Sequence, residues 1–113
     1  MHEMAVTQGM LSIALEHATK AGAKRITHIN LVIGEMSGIV DDSVQFYFDF
    51  ISKGTLAEGA TLCFERVPAR FRCHACQTTF SPEIRQWNCP ECGELALDIV
   101  AGKEFYVDSI EIE

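Results

Sequence analysis

Two pairs of cysteines constrain this chain more than any other feature of its sequence. Each pair has the spacing Cys-x-x-Cys, as Cys73 with Cys76 and Cys89 with Cys92, and twelve residues separate the pairs. Two residues between cysteines allow both thiolates of a pair to reach one metal centre at about 2.3 Å. Four soft thiolates are typical of tetrahedral zinc. The spacing therefore predicts that this part of the chain folds around a zinc ion.

The alternatives for these cysteines are a redox dithiol and an iron–sulfur cluster. A redox motif needs only one Cys-x-x-Cys pair, which typically opens a helix. The expected zinc site has all four positions filled by protein, so none is left for a reacting water. Residues 70–98 also hold little aliphatic material. A segment this short cannot fold on a core of its own, so we expect the zinc to be structural.

The other residues that can bind metal near this segment are expected to play no part in the site. His74 lies between the cysteines of the first pair and is expected to be exposed. The fifth cysteine, Cys63, falls in a predicted strand and is expected to be a small core residue. An odd cysteine count, with no basic-then-apolar secretion signal at the N-terminus, argues against a disulfide scaffold.

Composition narrows the class of protein. The chain has 113 residues, 48% of them hydrophobic, which is enough for one small core with an appendage. Its net charge of −7 opposes binding to nucleic acid or anionic membrane, since phosphate contacts need clustered Lys and Arg. No apolar run approaches the roughly 20 residues of a membrane helix. We therefore expect a soluble, cytoplasmic protein without nucleic-acid or membrane partners.

Hydrophobic periodicity predicts the order of the elements. They are a helix over 4–20, a strand over 26–35, a helix over 42–53, a strand over 60–67 and a strand after Gly102. The alternation of the last strand slips between Val107 and Ile110, and this strand is expected to return to the first sheet. The predicted fold is α+β, a small sheet with two helices and an inserted zinc-binding domain with four cysteine ligands. The predicted domains are 1–69 with 99–113, and 70–98.

The second predicted helix has two further features. Asp41, Asp42 and Ser43 are expected to supply capping oxygens and negative charge at its start. Phe46 and Phe50 lie on a different face from the main apolar stripe. Apolar residues on two faces predict that this helix is covered on two sides.

The N-terminus offers a second possible metal site. In Met1-His2-Glu3, the α-amine, the amide nitrogen of His2 and its imidazole can close two fused chelate rings on one metal. Nitrogen ligands in a plane suit Ni(II) or Cu(II). Glu3 can add its own amide nitrogen, or a carboxylate that orients the imidazole. The residues alone leave open the alternative that His2 belongs to an ordinary exposed terminus.

Several features together resemble one family, the HypA/HybF hydrogenase maturation nickel metallochaperones. They are the opening Met-His-Glu, the long first helix, Ile-Gly-Glu at 33–35 followed by Ser37, Phe48 in the second helix, the paired cysteines and the closing SIEIE at 109–113. The resemblance covers nearly all of the chain. The combination is far more specific than either metal motif alone.

This resemblance implies a nickel-binding α/β domain joined to a zinc-binding domain. It implies nickel delivery to the large subunit of a nickel–iron hydrogenase, with a nickel-carrying GTPase as partner. We expect a monomer or weak homodimer. Carried over by motif, His2 is the main nickel ligand, assisted by the Met1 amine and the backbone nitrogens of His2 and Glu3. Asp41 corresponds to an acidic residue that affects nickel binding in some relatives. Some relatives also serve urease, which this sequence does not decide.

Three other functions compete with this interpretation. A zinc-ribbon nucleic-acid module would need a basic stripe, whereas residues 70–98 carry three arginines against four acidic residues. A zinc enzyme would need an open coordination position, and the chain also lacks a nucleophile–base constellation and a phosphate-cradling glycine loop. We therefore expect no enzyme. A scaffold without nickel remains an alternative that nickel calorimetry separates.

Overall fold

The structure, a computed structural model of the chain, describes residues 3–81, 88–93 and 97–113. The helices are α1 (Glu3–Lys20) and α2 (Asp41–Ile51), and the strands are β1 (Ile26–Gly34), β2 (Thr61–Val67), β3 (Arg70–Cys73), β4 (Thr79–Phe80), β5 (Leu97–Ala101) and β6 (Phe105–Ile112). Two helices with two small sheets confirm the predicted α+β class. Neither helix is long and apolar enough to cross a membrane.

The first sheet has the order β2-β1-β6, with β1 in the centre. Strand β2 runs parallel to β1 after the α2 crossover, and β6 returns antiparallel on the other side. This return of the last strand confirms the prediction. The slip in its alternation is a β-bulge, because Asn30 pairs with Ser109 while Leu31 pairs with Val107, leaving Asp108 unmatched.

Both helices cover one face of this sheet, and we call the sheet with its helices the helical lobe. Strand β1 buries Ile29, Leu31 and Ile33 against the helices, with at most 1% of each exposed. Ala14 and Ala18 of α1 are wholly buried. Their small side chains let the helix backbone approach the sheet closely. The lobe therefore has a continuous apolar core.

Helix α2 differs from its prediction in two respects. Its N-cap is Val40, which is extended and makes no side-chain cap hydrogen bond. The carboxylate of Asp41 instead accepts a hydrogen bond of 2.7 Å from Arg66 Nη2. Phe46 and Phe50 are 60% and 64% exposed, so the prediction of burial on two sides is wrong. The helix lies in an outer layer, so only its face towards the core is covered.

The prediction for Cys63 is also wrong, because this residue is exposed. Along β2 the core side of the strand carries Leu62, which is 8% exposed, and Cys63 points the other way. Cys63 lies on the face of the sheet away from the helices, where it is left to solvent. An apolar residue type at a strand position does not by itself say which face it occupies.

The second sheet has the order β4-β3-β5, with both neighbours antiparallel to β3. We call this sheet, together with the paired cysteines, the cysteine lobe. Phe71 of β3 is buried and its ring meets that of Phe80 edge to face at 6.1 Å. These three short strands were not predicted individually, because their alternation is too brief to be read from the sequence.

Both chain crossings between the lobes meet at the end of β1. The carboxylate of Glu35 accepts a hydrogen bond from the Ala69 N–H at 3.1 Å, on the way into the cysteine lobe. On the way back, the Gly34 N–H donates to the carbonyl of Glu104 at 2.6 Å. A Cβ on Gly34 would overlap the carbonyl of Gly102. Gly34 and Glu35 thus contact both crossings. We call these two residues, together with Ala69 and residues 102–104, the junction.

Candidate metal centre

The first cysteine pair lies where β3 ends and the chain turns towards β4. The Cys73 N–H donates to the carbonyl of Thr78 at 2.9 Å, and the Gln77 N–H donates to the carbonyl of Cys73 at 3.0 Å. Gln77 has a φ of 64°, a left-handed conformation that is uncommon for a residue other than glycine. Its side-chain amide donates to the carbonyl of His74 at 3.0 Å, which helps to hold the turn.

The second pair is held by a similar turn. The Gly93 N–H donates to the carbonyl of Cys89 at 2.8 Å, and the Glu91 N–H donates to Cys89 Sγ at 3.4 Å. Gly93 has a φ of 79°, a left-handed conformation that glycine adopts without steric cost. In both pairs, the residue directly after the second cysteine is left-handed. This turn aims both sulfurs of a pair at the same point.

The four sulfur atoms converge. The Sγ atoms of Cys73, Cys76, Cys89 and Cys92 all lie within 4.8 Å of one another. Cys73 Sγ lies 3.4 Å from Cys92 Sγ, and Cys76 Sγ lies 3.5 Å from Cys89 Sγ. Tetrahedral zinc with bonds of about 2.3 Å places its sulfurs about 3.8 Å apart. The donor set and its spacing therefore fit a four-thiolate metal site.

The four-cysteine site is only partly buried. Cys73 and Cys89 are buried, with at most 1% exposed, whereas Cys76 and Cys92 are exposed. Hydrogen bonds from the Thr78 hydroxyl, whose Oγ1 lies 3.1 Å from Cys76 Sγ, and from the Thr78 backbone lower the pKa of Cys76 to about 6. These bonds favour the thiolate, the form that binds metal. Thr78 was missed by sequence reasoning, which considered only the ligands.

His74 lies beside this site without joining it. Its side chain is 55% exposed, which confirms the prediction that it is exposed. Its Nε2 lies 2.8 Å from Asp98 Oδ2, so the imidazole contacts a carboxylate on β5. This contact ties the first cysteine turn to the neighbouring strand.

Of the residues predicted to bind nickel, Glu3 alone falls in the described part of the chain. Met1 and His2 lie outside the described residues. Glu3 is half-buried and begins α1, and its carbonyl accepts a hydrogen bond of 2.6 Å from Thr7 Oγ1. Thr7 is wholly buried and so holds the first helical turn in place. Asp41, the acidic residue singled out by resemblance, is bonded to Arg66.

Comparison with known proteins gives a family and close relatives. The family model described as "Hydrogenase/urease nickel incorporation, metallochaperone, hypA" matches residues 1–112. A "Hydrogenase maturation factor HypA" from Caldanaerobacter subterraneus subsp. tengcongensis is 45% identical over 114 positions, covering all of both chains. A protein of the same name from Dehalococcoides mccartyi is 43% identical over 113 residues, covering all of this chain and 95% of the relative.

Two solved structures share the fold. The solution structure of the Ni metallochaperone HypA from Helicobacter pylori superposes with a TM-score of 0.71 at 24% identity, covering 99% of this chain and 97% of that one. A second solution structure, of a HypA protein, gives a TM-score of 0.76 at 24% identity, covering 99% and 96%. The likeness therefore extends over both lobes.

Proposed function

The chain belongs to the HypA family of hydrogenase maturation factors, and from this premise we propose that it binds Ni(II) at its N-terminus and delivers it to a maturing nickel–iron hydrogenase. Membership makes the chain a metallochaperone and not an enzyme. The observation that carries the proposal is the family match over residues 1–112, because it includes the Met-His-Glu terminus.

The chemistry of the terminus supports nickel as the cargo. The Met1 amine, the His2 imidazole and the backbone nitrogens of His2 and Glu3 together form a compact set of nitrogen donors. Such sets suit Ni(II), which can displace amide protons. The buried Thr7 hydroxyl bonds the carbonyl of Glu3, so the chain is fixed immediately after these donors. A ligand set anchored on one side loses less conformational entropy when it closes on a metal.

We propose zinc as the metal of the four thiolates, with a structural role. The support is the closed donor set, all of whose members come from the protein. We further propose that residues 70–98 form a zinc-binding domain inserted into a nickel-binding domain of 1–69 and 99–113. Two separate sheets support this division, although the second sheet runs to Ala101 at the end of β5.

A role in hydrogenase maturation implies contact with other maturation components. A carrier must receive its metal and release it, so two kinds of partner are needed. We propose a nickel-carrying GTPase as the maturation partner and the hydrogenase large subunit as the recipient, with both encounters in the cytoplasm. We also propose a monomer or weak homodimer.

A histidine scan tests the nickel assignment, since the chain has only four histidines. Each of His2, His17, His28 and His74 is changed to Ala, and nickel binding is measured by calorimetry on zinc-loaded protein with a native N-terminus. His2→Ala is expected to weaken nickel binding by more than about 100-fold, because a direct ligand is lost. His17→Ala is the matched control, because His17 is an exposed histidine of helix α1. Nickel binding that survives His2→Ala, or is lost in another variant, would refute the assignment.

A further inference from the structure

A groove runs between helix α1 and the outer edge of strand β6. It consists of two neighbouring cavities of about 200 and 260 Å³, which share Ile13 and Val107 in their linings. The strand side of the groove is formed by six consecutive residues, Phe105 to Ile110. The groove therefore follows the strand for most of its length.

The outer edge of β6 is available for pairing. The inner edge of β6 pairs with β1, and β6 is the last strand of the β2-β1-β6 sheet. Within residues 3–81, 88–93 and 97–113, no strand pairs with the outer edge. Alternate backbone N–H and C=O groups on such an edge can bond an added strand. The groove thus combines an apolar floor with a hydrogen-bonding wall.

The helix side of the groove is a single stripe of residues, and one of them is a glycine, which is unfavourable inside a helix. Val6, Gly9, Ile13 and His17 recur at helical spacing and line it, and Ile13 is 48% exposed. A Cβ on Gly9 would meet nothing within 4 Å among the described residues, so packing in that part of the chain does not require glycine there. Glycine inside a helix is destabilising relative to alanine. Its presence leaves space for a second chain to pass close to the helix.

The residues that line the two cavities include one carboxylate, that of Asp108, and no Lys or Arg. Asp108 lines the groove at the β-bulge and has no ion-pair partner among the residues that the structure describes. Glu111 follows on the same strand beyond the cavity linings; it is exposed, and its Oε2 lies 3.9 Å from His28 Nδ1. Two copies of this chain paired through β6 would bring their carboxylates together, in a protein whose net charge is already −7. The charge therefore favours a basic occupant over a second copy.

We propose that this groove is a docking site for an extended, basic segment of a partner protein, which adds to β6 as a fourth strand. Apolar side chains on alternate positions of the segment would pack over Gly9 and against Ile13, while Lys or Arg side chains would meet Asp108. Strand addition of this kind takes affinity from main-chain hydrogen bonds and specificity from pockets for alternate side chains. The proposal rests on the helical lobe alone, so it stands or falls independently of nickel binding.

A peptide titration tests the pairing and its charge. Zinc-loaded, full-length protein is titrated with an eight-residue peptide of alternating Lys and Val, while backbone amide signals are followed by NMR. Shifts are expected in residues 105–112 and along the α1 stripe. A Glu–Val peptide of equal length, and a Lys–Val peptide N-methylated at alternate residues, are expected to bind at least about tenfold more weakly. Equal binding of either control peptide, or no shifts in 105–112 at about 1 mM peptide, overturns the proposal.

Three variants localise the binding. Gly9→Gln fills the groove and Ile13→Lys repels a basic segment, so each is expected to weaken binding at least about tenfold. Gly9→Gln should also raise the thermal unfolding midpoint, since Gln is the better helix former, and misfolding therefore cannot explain its loss of binding. Phe46→Lys is the matched control, an equally drastic change at an exposed residue of α2.

The variants also separate other occupants. Weakening by Phe46→Lys as strong as that by Ile13→Lys would place the binding elsewhere and overturn the proposal. A dimer of the wild-type protein in sedimentation that Ile13→Lys dissociates would make the occupant a second copy, and would equally overturn it.

Discussion

The two lobes of this chain are stabilised by different means. The helical lobe has a continuous apolar core that includes Ile29, Leu31, Ile33, Val44 and Phe48, each with at most 1% exposed. In the cysteine lobe the described core is slight, consisting mainly of Phe71 against Phe80 and the two buried cysteines. Burial of aliphatic surface can hold the first lobe, whereas we propose that a metal holds the second. We therefore expect the first lobe to fold without metal and the second to depend on it.

Removing the metal should produce the largest difference in stability between the two lobes. Structural zinc contributes about 10–16 kcal/mol of apparent binding free energy, more than any side chain here. Cys89→Ser should abolish zinc binding and deprotect the amides of residues 70–73 and 97–101 in hydrogen exchange, while residues 26–34 stay protected. Zinc analysis and hydrogen exchange measure both effects. Full zinc retention, or equal loss of protection in the two lobes, would contradict the account.

A core truncation should destabilise the helical lobe and leave the cysteine lobe unchanged. Phe48 is 1% exposed and lies in the core cluster of the helical lobe. Phe48→Ala should therefore lower the free energy of unfolding of that lobe by about 3–5 kcal/mol. Zinc content should remain that of the wild type. Urea denaturation followed by α-helix circular dichroism, with zinc analysis alongside, checks both values, and zinc loss would show that the lobes are not separable.

Alanine substitutions at two glycines compare the tolerance of the junction with that of a cysteine turn. Gly34→Ala places a Cβ into the Gly102 carbonyl, so we expect a cost of about 3 kcal/mol, the upper end of what overpacking brings. Gly93 has a φ of 79° but open space around it, so Gly93→Ala should cost only the left-handed strain of about 1–2 kcal/mol. Urea denaturation of the zinc-loaded variants gives both values. A larger loss of stability from Gly93→Ala than from Gly34→Ala would mean that the backbone at the junction can shift to accommodate the added Cβ.

The smallest expected effect concerns the thiolate of Cys76. Thr78→Val removes the hydroxyl that lowers the pKa of Cys76, so the pKa should rise and protons should displace the metal at a higher pH. The backbone bond remains, so the midpoint of zinc release on acidification should move up by less than about one pH unit. A zinc-sensitive dye follows the release. Thr79→Val is the neighbouring control, and an equal shift there would remove the role given to Thr78.

Sequence reasoning succeeded where the signal is local and periodic. The bounds of α1, α2, β1, β2 and β6 fall within two residues of their predictions, and the slip before Ile110 proved to be a bulge. It failed for Cys63, Phe46 and Phe50, because their exposure depends on which layers exist to cover them. The contact of Glu35 with Ala69 joins residues 34 positions apart, which no local pattern reveals.

The two candidate metal sites also differ in how far the sequence predicts them. The four cysteines could be found from spacing alone, since each pair is local and the two pairs have the same form. The left-handed Gln77 could not be found, because glutamine is not among the residue types enriched in that conformation. The nickel ligands Met1 and His2 rest on chemistry and resemblance, and stay a prediction.

Nickel binding by two proteins that differ only at the N-terminus tests the central claim most directly. One has its native Met1 amine, and the other carries a short Gly-Ser extension that turns this amine into an amide. Both are zinc-loaded, and nickel affinity is measured at one pH with zinc content as the internal reference. The account predicts that the extended protein keeps its zinc but binds nickel at least about 100-fold more weakly, because a chelate ligand is lost. Equal nickel affinity in the two proteins would contradict it.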